Sequence, residues 1–235
     1  MIEKLKHAIE NSKKIVFFTG AGMSTDSGIP DFRSETGLYK NNLHAEEIIS
    51  HSYFMSHPEE FYDFYKNKMI FEDALPNYGH KFIASLEGKK DVCVVTQNID
   101  GLHQLAGSKK VYELHGSIHR NYCMKCHKFY DLTKIIESNG VPYCDCGGII
   151  KPDVVLYEES LDEDTINKSV SEIYNADTMV ILGTSLNVYP AAGFIRYFRG
   201  NTLAIINKQA TVQDNNCDIV IHDSISKVFK EIDNI

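Results

Sequence analysis

A short apolar run, Ile15-Val16-Phe17-Phe18, passes directly into Thr19-Gly20-Ala21-Gly22, and this junction constrains the chain more than any other feature. An apolar run that short, closed by glycines, predicts a buried strand. Glycine at 20 and 22 lets the backbone turn tightly and come close to a ligand without a Cβ in the way. A strand feeding a Gly-x-Gly turn is how dinucleotide-binding folds present N–H groups to a pyrophosphate. The fingerprint is incomplete, because Thr25 stands where G-x-G-x-x-G has its third glycine. Taken alone, the turn fits either a nucleotide site or an ordinary glycine turn. Asp31-Phe32-Arg33 follows between Gly28, Pro30 and Gly37, a stretch too irregular for helix or strand.

Further short strands are expected at 91–95, 109–114, 178–182, 202–206 and 219–221. Helices are expected at 2–12, 74–86, 162–175 and 224–232, the first and last amphipathic, and they alternate with the strands. Alternation of this kind predicts a mostly parallel, doubly wound α/β sheet. Between Ala45 and Leu75 the aromatics Tyr53, Phe54, Phe61, Tyr62, Phe64, Tyr65 and Phe71 recur at helical spacing, as core filling of a small helical module. A net charge of −8 argues against direct nucleic-acid binding and favours solubility. The apolar runs are too short to span a membrane, and charges throughout the first residues leave no secretory core, so a cytoplasmic location is expected. No oligomerisation signal is visible, and a monomer is expected.

Four of the six cysteines cluster as Cys123-x-x-Cys126 and, seventeen residues on, Cys144-x-Cys146-Gly147-Gly148. In a chain of this kind the pattern reads as a metal site before disulfides. A thioredoxin-like redox pair would need only one C-x-x-C, whereas two pairs fit a tetrahedral Cys₄ zinc site. Four thiolates leave no open coordination position, so such a zinc is structural.

Polar residues gather where the strands end. The second run closes in Thr96-Gln97-Asn98-Ile99-Asp100-Gly101-Leu102-His103, and ligands of open α/β sheets bind at such carboxyl ends. Asn98 and Asp100 could equally cap a helix beginning near Leu102. The third run leads to Glu113-Leu114-His115-Gly116, and an imidazole that titrates near neutrality suits a general base. Gly183-Thr184-Ser185 is a second phosphate-suited turn, followed by a helix expected around Pro190.

The string from Gly20 to Arg33, the T-Q-N-x-D-x-L-H of 96–103, the E-L-H-G of 113–116 and the cysteine set, in this order, resemble the sirtuins, NAD-dependent protein-lysine deacylases. The resemblance implies a Rossmann-like part (approximately 1–39, 76–118 and 152–235) with helical (40–75) and zinc-module (119–151) insertions forming a small domain. It implies NAD as cofactor, lying on Gly20, Ala21, Gly22 and Thr25 and on Gly183, Thr184 and Ser185. Ile99 and Asp100 would hold its carboxamide, Phe32 shield the reactive ribose carbon, and Arg33 and Gln97 position it. Asn98 would order ribose and water, Asn207 the adenosine ribose, and Asp31 and Cys217 would complete the contacts. His115 would be the catalytic base, with Asn98 beside it, and Val155, Tyr157 and Val188 would line the acyl-lysine tunnel. The implied partners are acetylated-lysine proteins or peptides, yielding nicotinamide, 2′-O-acetyl-ADP-ribose and free lysine.

The chain departs from the family pattern in two places. Glu158 replaces a usual glycine after the substrate-pairing segment. Tyr62-x-x-Tyr65 stands where members preferring succinyl or malonyl lysine carry Tyr-x-x-Arg, which implies a preference for acetyl. Mono-ADP-ribosyl transfer, deacylation of longer chains and a non-enzymatic binding module are the alternatives.

Overall fold

The computed structural model describes residues 1–32, 37 and 44–234. Nine strands occur among them: β1 Lys14–Thr19, β2 Asp91–Thr96, β3 Val111–Glu113, β4 Gly116–Cys123, β5 Phe129–Tyr130, β6 Ile150–Val154, β7 Thr178–Leu182, β8 Thr202–Ile206 and β9 Ile219–Ile221. The main sheet has the order β3-β2-β1-β7-β8-β9 and every pairing in it is parallel. The chain therefore winds outward in one direction to β3, returns, and winds the other way from β7. The reversal falls between β1 and β7, where an α/β sheet opens a crevice at its carboxyl edge.

Parallel sheets are covered on both faces, which is why their strands read as unbroken apolar runs. Ile15 and Phe17 of β1 enter one buried cluster with Leu5, Val180 and Phe229, while Val16 and Phe18 enter another with Ile173 and Ile181. The first cluster is closed by the helices Ile2–Asn11, Tyr78–Ser85 and Ile225–Asn234. Phe229 anchors it, stacked on Phe82 at 4.3 Å and edge-on to Phe17 at 6.3 Å. The helix Glu163–Tyr174 covers the opposite face.

A second, antiparallel sheet, β5-β4-β6, carries the cysteines. The aromatics expected to fill a helical core do so, but they share that core with the cysteine module. Phe54, Phe61, Tyr62 and Tyr65 pack with Ile118, Ile135, Val141 and Ile150 in one cluster. Tyr62 donates its hydroxyl to the Ile150 carbonyl inside it. The helix expected around Pro190 is instead a 3₁₀ segment, Ala191–Tyr197, the tighter winding common in short connectors.

The sheet reversal depends on Gly183. It sits at φ +59, and a Cβ there would lie 2.4 Å from Gly22 C and from Met23 N. Gly183→Ala should lower stability by at least about 2 kcal/mol, through left-handed strain plus backbone overlap. Gly140, at φ +69 with open space around it, provides the control: Gly140→Ala should cost only about 1 kcal/mol. Denaturant midpoints at unchanged m-value measure both. Equal midpoints for the two variants would contradict close packing at the turn.

Candidate active site

A cavity of about 530 Å³ opens at the sheet reversal. Its floor is made by two turns in contact. Gly22 N–H donates to Gly183 O at 2.8 Å, Gly20 N–H to Leu182 O at 3.0 Å, and Gly183 N–H to Ile206 O at 3.0 Å. The glycine amides are thus taken up within the protein. Glycine is required because the two backbones approach so closely: a Cβ on Gly22 would lie 2.8 Å from Gly183 Cα. The amides of Ala21, Thr184 and Ser185, all in the cavity lining, have no protein acceptor among the described residues, so they are the donors left for a phosphate. Thr25 supports the turn by donating its hydroxyl to Gly22 O at 3.0 Å.

The end of β2 supplies the polar wall. Asn98 Nδ2 donates to Ser24 Oγ at 3.1 Å, and Ser24 donates in turn to Asp100 Oδ2 at 2.6 Å. Asp100 also accepts the Leu102 amide at 2.9 Å, starting the helix Leu102–Ala106. The helix-start role and the cavity-wall role therefore coexist in one carboxylate. Burial raises its pKa, against the lowering effect of the Ser24 and Leu102 bonds. Gln97 Nε2 donates to Thr184 Oγ1 at 3.2 Å, tying the wall to the second turn.

His115 lines the same cavity. Its Nδ1 lies 2.9 Å from the Gln97 carbonyl, which can only accept, so the neutral ring carries its proton on Nδ1. Burial lowers the pKa, and the Gln97 bond opposes this in part. The result is a neutral imidazole at pH 7 whose Nε2 lone pair is available to take a proton.

Opposite the glycine turns, the lining becomes apolar. Val155, Tyr157 and Val188 are in it, joined by Met69, Phe71 and Ile118, which were not expected from sequence. The Val155 amide donates to His115 O at 3.0 Å, fixing the segment after β6 beside the histidine. Tyr157 exchanges bonds with the helical module: Tyr157 N–H to Ile49 O at 3.1 Å and His51 N–H to Tyr157 O at 3.0 Å. Glu158 adopts φ +76, the conformation that favours glycine. Its carboxylate accepts from Ser52 N–H and Ser52 Oγ, both at 2.9 Å, which offsets that strain. Tyr62 and Tyr65 lie in the helical core and not in the lining; Lys68 is the lysine of that helix that reaches the cavity.

Asp31, Phe32, Ile99 and Asn207 lie in the lining as well. Cys217 does not: it packs half-buried against the apolar cluster that contains Ile205, and burial pushes its thiol up to about 11. Arg33 lies outside the described residues. Ser24 is the polar residue whose part in the wall was missed, although it sits inside the string that carried the family resemblance.

The four clustered cysteines converge. Their sulfur atoms all lie within 4.8 Å of one another, with Cys123 and Cys146 at 3.4 Å and Cys126 and Cys144 at 3.5 Å. A zinc tetrahedron with bonds of about 2.3 Å has edges near 3.8 Å, so the donor set fits that ion. Amides of Lys125 and Cys126 point at Cys123 Sγ, and Tyr130 donates its hydroxyl to Cys144 Sγ at 3.0 Å, as thiolate ligands require. The Cys-x-Cys pair is accommodated by Gly147 at φ +79 and a Cys144 N–H to Gly148 O bond of 2.8 Å.

A crevice at the reversal of a parallel sheet, with free amides on one side and an open imidazole on the other, defines an α/β enzyme of the dinucleotide-binding type, here bearing a four-cysteine metal module. Residues 20–190 match the model of the Sir2 family, and the chain belongs to that family. It is 59% identical over 238 residues to the NAD-dependent protein deacetylase of Clostridium acetobutylicum, covering 98% of this chain and 97% of the relative. A solved Sir2 structure with deacetylated p53 peptide and 3′-O-acetyl ADP-ribose superposes with a TM-score of 0.91 at 38% identity, over 99% of this chain and 97% of that one. A Sir2 structure with p53 peptide and NAD⁺ superposes with a TM-score of 0.89 at 38% identity, over 100% of this chain and 98% of that one.

Elemental analysis should find about one zinc per chain, because the donor set matches a structural Cys₄ site. Chelation, or Cys144→Ser, should loosen the shared aromatic core as well as the knuckles, since Cys123 and Cys144 belong to that cluster. Metal-free protein with undiminished stability would contradict the assignment.

Proposed function

We propose that this chain removes acetyl groups from lysine side chains of proteins at the expense of NAD, releasing nicotinamide, 2′-O-acetyl-ADP-ribose and free lysine. The observation that carries the reading is the His115 ring, held by the Gln97 carbonyl with Nε2 open, in a cavity that has free amides at one end and an apolar wall at the other. The names of the relatives and the ligands of the solved Sir2 structures support it.

NAD supplies the electrophilic ribose carbon and nicotinamide as the leaving group. Amides of Ala21, Thr184 and Ser185 would receive its phosphates, and Asn207 its adenosine side. Ile99 and Asp100 would hold the carboxamide end, and Phe32 would exclude water from the reacting carbon. Asn98, oriented by Ser24, would order the ribose hydroxyls and a water. His115 Nε2 would accept the proton of a ribose hydroxyl as the acyl group transfers. Val155, Tyr157 and Val188 would enclose the acyl-lysine stem. The zinc module takes no part in the chemistry. We place the boundaries of the nucleotide-binding part near 1–39, 76–118 and 152–235, with the helical and cysteine modules between. We further read the protein as a cytoplasmic monomer acting on basic peptide segments, which its charge of −8 would attract.

His115→Ala should reduce deacetylation of an acetyl-lysine peptide by about 10²–10⁴-fold with the fold retained, and a rate within about threefold of the parent would remove His115 from the role of base. Activity needs the neutral ring, whose pKa burial has lowered. The acid limb of kcat/KM should therefore fall below the ordinary histidine value near 6.5, with activity intact above it and lost as pH drops through the lowered pKa. The apolar wall, with Lys68 exposed at the rim, favours uncharged chains. On matched peptides kcat/KM should be higher for acetyl-lysine than for succinyl-lysine, and the reverse order would show that Lys68 or another cation serves the carboxylate.

A further inference from the structure

Beneath the cavity, outside its lining, two histidines are enclosed. His80 is 0% exposed and His103 is 1% exposed, and their rings meet edge to face at 4.7 Å. Neither belongs to the chemistry above. Each has its proton placed by a single bond. The Asn77 amide, at the cap of the helix Tyr78–Ser85, donates to His80 Nδ1 at 3.3 Å, so the neutral ring carries its proton on Nε2. Thr19 Oγ1 donates to Thr96 Oγ1 at 2.8 Å, so toward His103 Nε2, 3.1 Å away, it acts as acceptor. His103 therefore also carries its proton on Nε2.

What remains is a donor at His80 Nε2 and an acceptor at His103 Nδ1. Both atoms are buried and neither has a hydrogen-bond partner among the described residues; the two rings meet by packing. Burial keeps both rings neutral: it lowers the pKa of His80 to about 4 and that of His103 as well. The donors thus run from His103 through Thr19 to Thr96, and His80, held by Asn77, packs against the far side of the His103 ring.

Thr96 Oγ1 also accepts the Asn98 amide, at 3.0 Å. Thr19 and Thr96 are register partners on β1 and β2, and the Thr19 carbonyl accepts the Gln97 amide at 2.9 Å. The Asn98 amide therefore rests on the Thr96 hydroxyl and the Gln97 amide on the Thr19 backbone, and the same turn carries the carbonyl that orients His115. An apolar residue at 103 would fill the volume without the desolvation cost of an imidazole, but would leave Thr19 without its donor.

We propose that His103, backed by His80, is a positioning residue for the reaction: it orders the Thr19–Thr96 hydroxyl pair and so holds Asn98 and the Gln97 carbonyl where His115 needs them. This rests on the deacetylation reading. His103→Gln keeps an N–H donor at the reach of Nε2, and His103→Leu removes it. His103→Leu should lower kcat for an acetyl-lysine peptide by about 10²-fold, with the KM values for peptide and NAD within about threefold of the parent, while His103→Gln should stay within about fivefold of the parent kcat. Equal kcat in the two variants would overturn the proposal.

A second measurement needs neither catalysis nor a variant. In ¹⁵N-histidine NMR of the unmutated protein, His80 and His103 should both appear as Nε2–H tautomers that do not titrate between about pH 6 and 8. A His103 protonated on Nδ1, or a ring that charges in that range, would overturn the relay even if His103→Leu failed to fold. A parent protein that does not deacetylate would sink the functional reading, and the tautomers alone would then decide the relay.

Discussion

The Gly20–Gly22 turn packs directly on Gly183, and the site is assembled around that contact. Two parallel strands that wind away from each other must leave a gap at their carboxyl ends, and here the gap is bridged by backbone alone. Side chains at these positions would push the turns apart, since ideal Cβ atoms on Gly20, Gly22 and Gly183 all fall under 3.0 Å from a neighbour. With the turns in contact, the amides of Ala21, Thr184 and Ser185 face the cavity instead of each other. Gln97 then reaches Thr184, and the polar wall closes around the same opening.

From that contact the site is built in layers. The Thr19 hydroxyl bonds that of Thr96, Ser24 bonds Asp100, and the Gln97 carbonyl bonds His115. His115 is the last member and the least constrained, held by one bond and free at Nε2. The apolar wall comes from a different source. Met69 and Phe71 follow the helix Pro58–Lys68, whose other face is locked into the cysteine cluster's core. A metal remote from the chemistry can thereby set the shape of the substrate end.

Much of this could be read from residues. The strands were legible because a sheet buried on both faces needs unbroken apolar runs, as at 15–18, 91–95 and 178–182. The cysteines were legible because thiolate spacing is itself coordination geometry. His115 stands in one motif string and Asn98 and Asp100 in another, and all three line the cavity. Other features depend on contacts between distant segments, and no local pattern reports them. Helical spacing showed that Tyr62 and Tyr65 pack, but not that they face the cysteine module and leave Lys68 at the cavity. Glu158 read as a departure from a glycine, and only its bonds to Ser52 show how a left-handed glutamate is stabilised. Cys217 follows a 3₁₀ turn, Asp214–Asn216, and packs against the apolar cluster on that face of the sheet, outside the cavity lining. His80 and His103 lie 23 positions apart in the chain, and their pairing appears only when α-helical neighbours are packed.

The proposed reaction transfers the acetyl group with the histidine as base, and consumes NAD in step with lysine release. Mass spectrometry of the protein incubated with an acetyl-lysine peptide and NAD tests it most directly. Free-lysine peptide, nicotinamide and acetyl-ADP-ribose should form in equal amounts. ADP-ribosylated protein with the acetyl group still on the peptide, or an unchanged peptide, would contradict it.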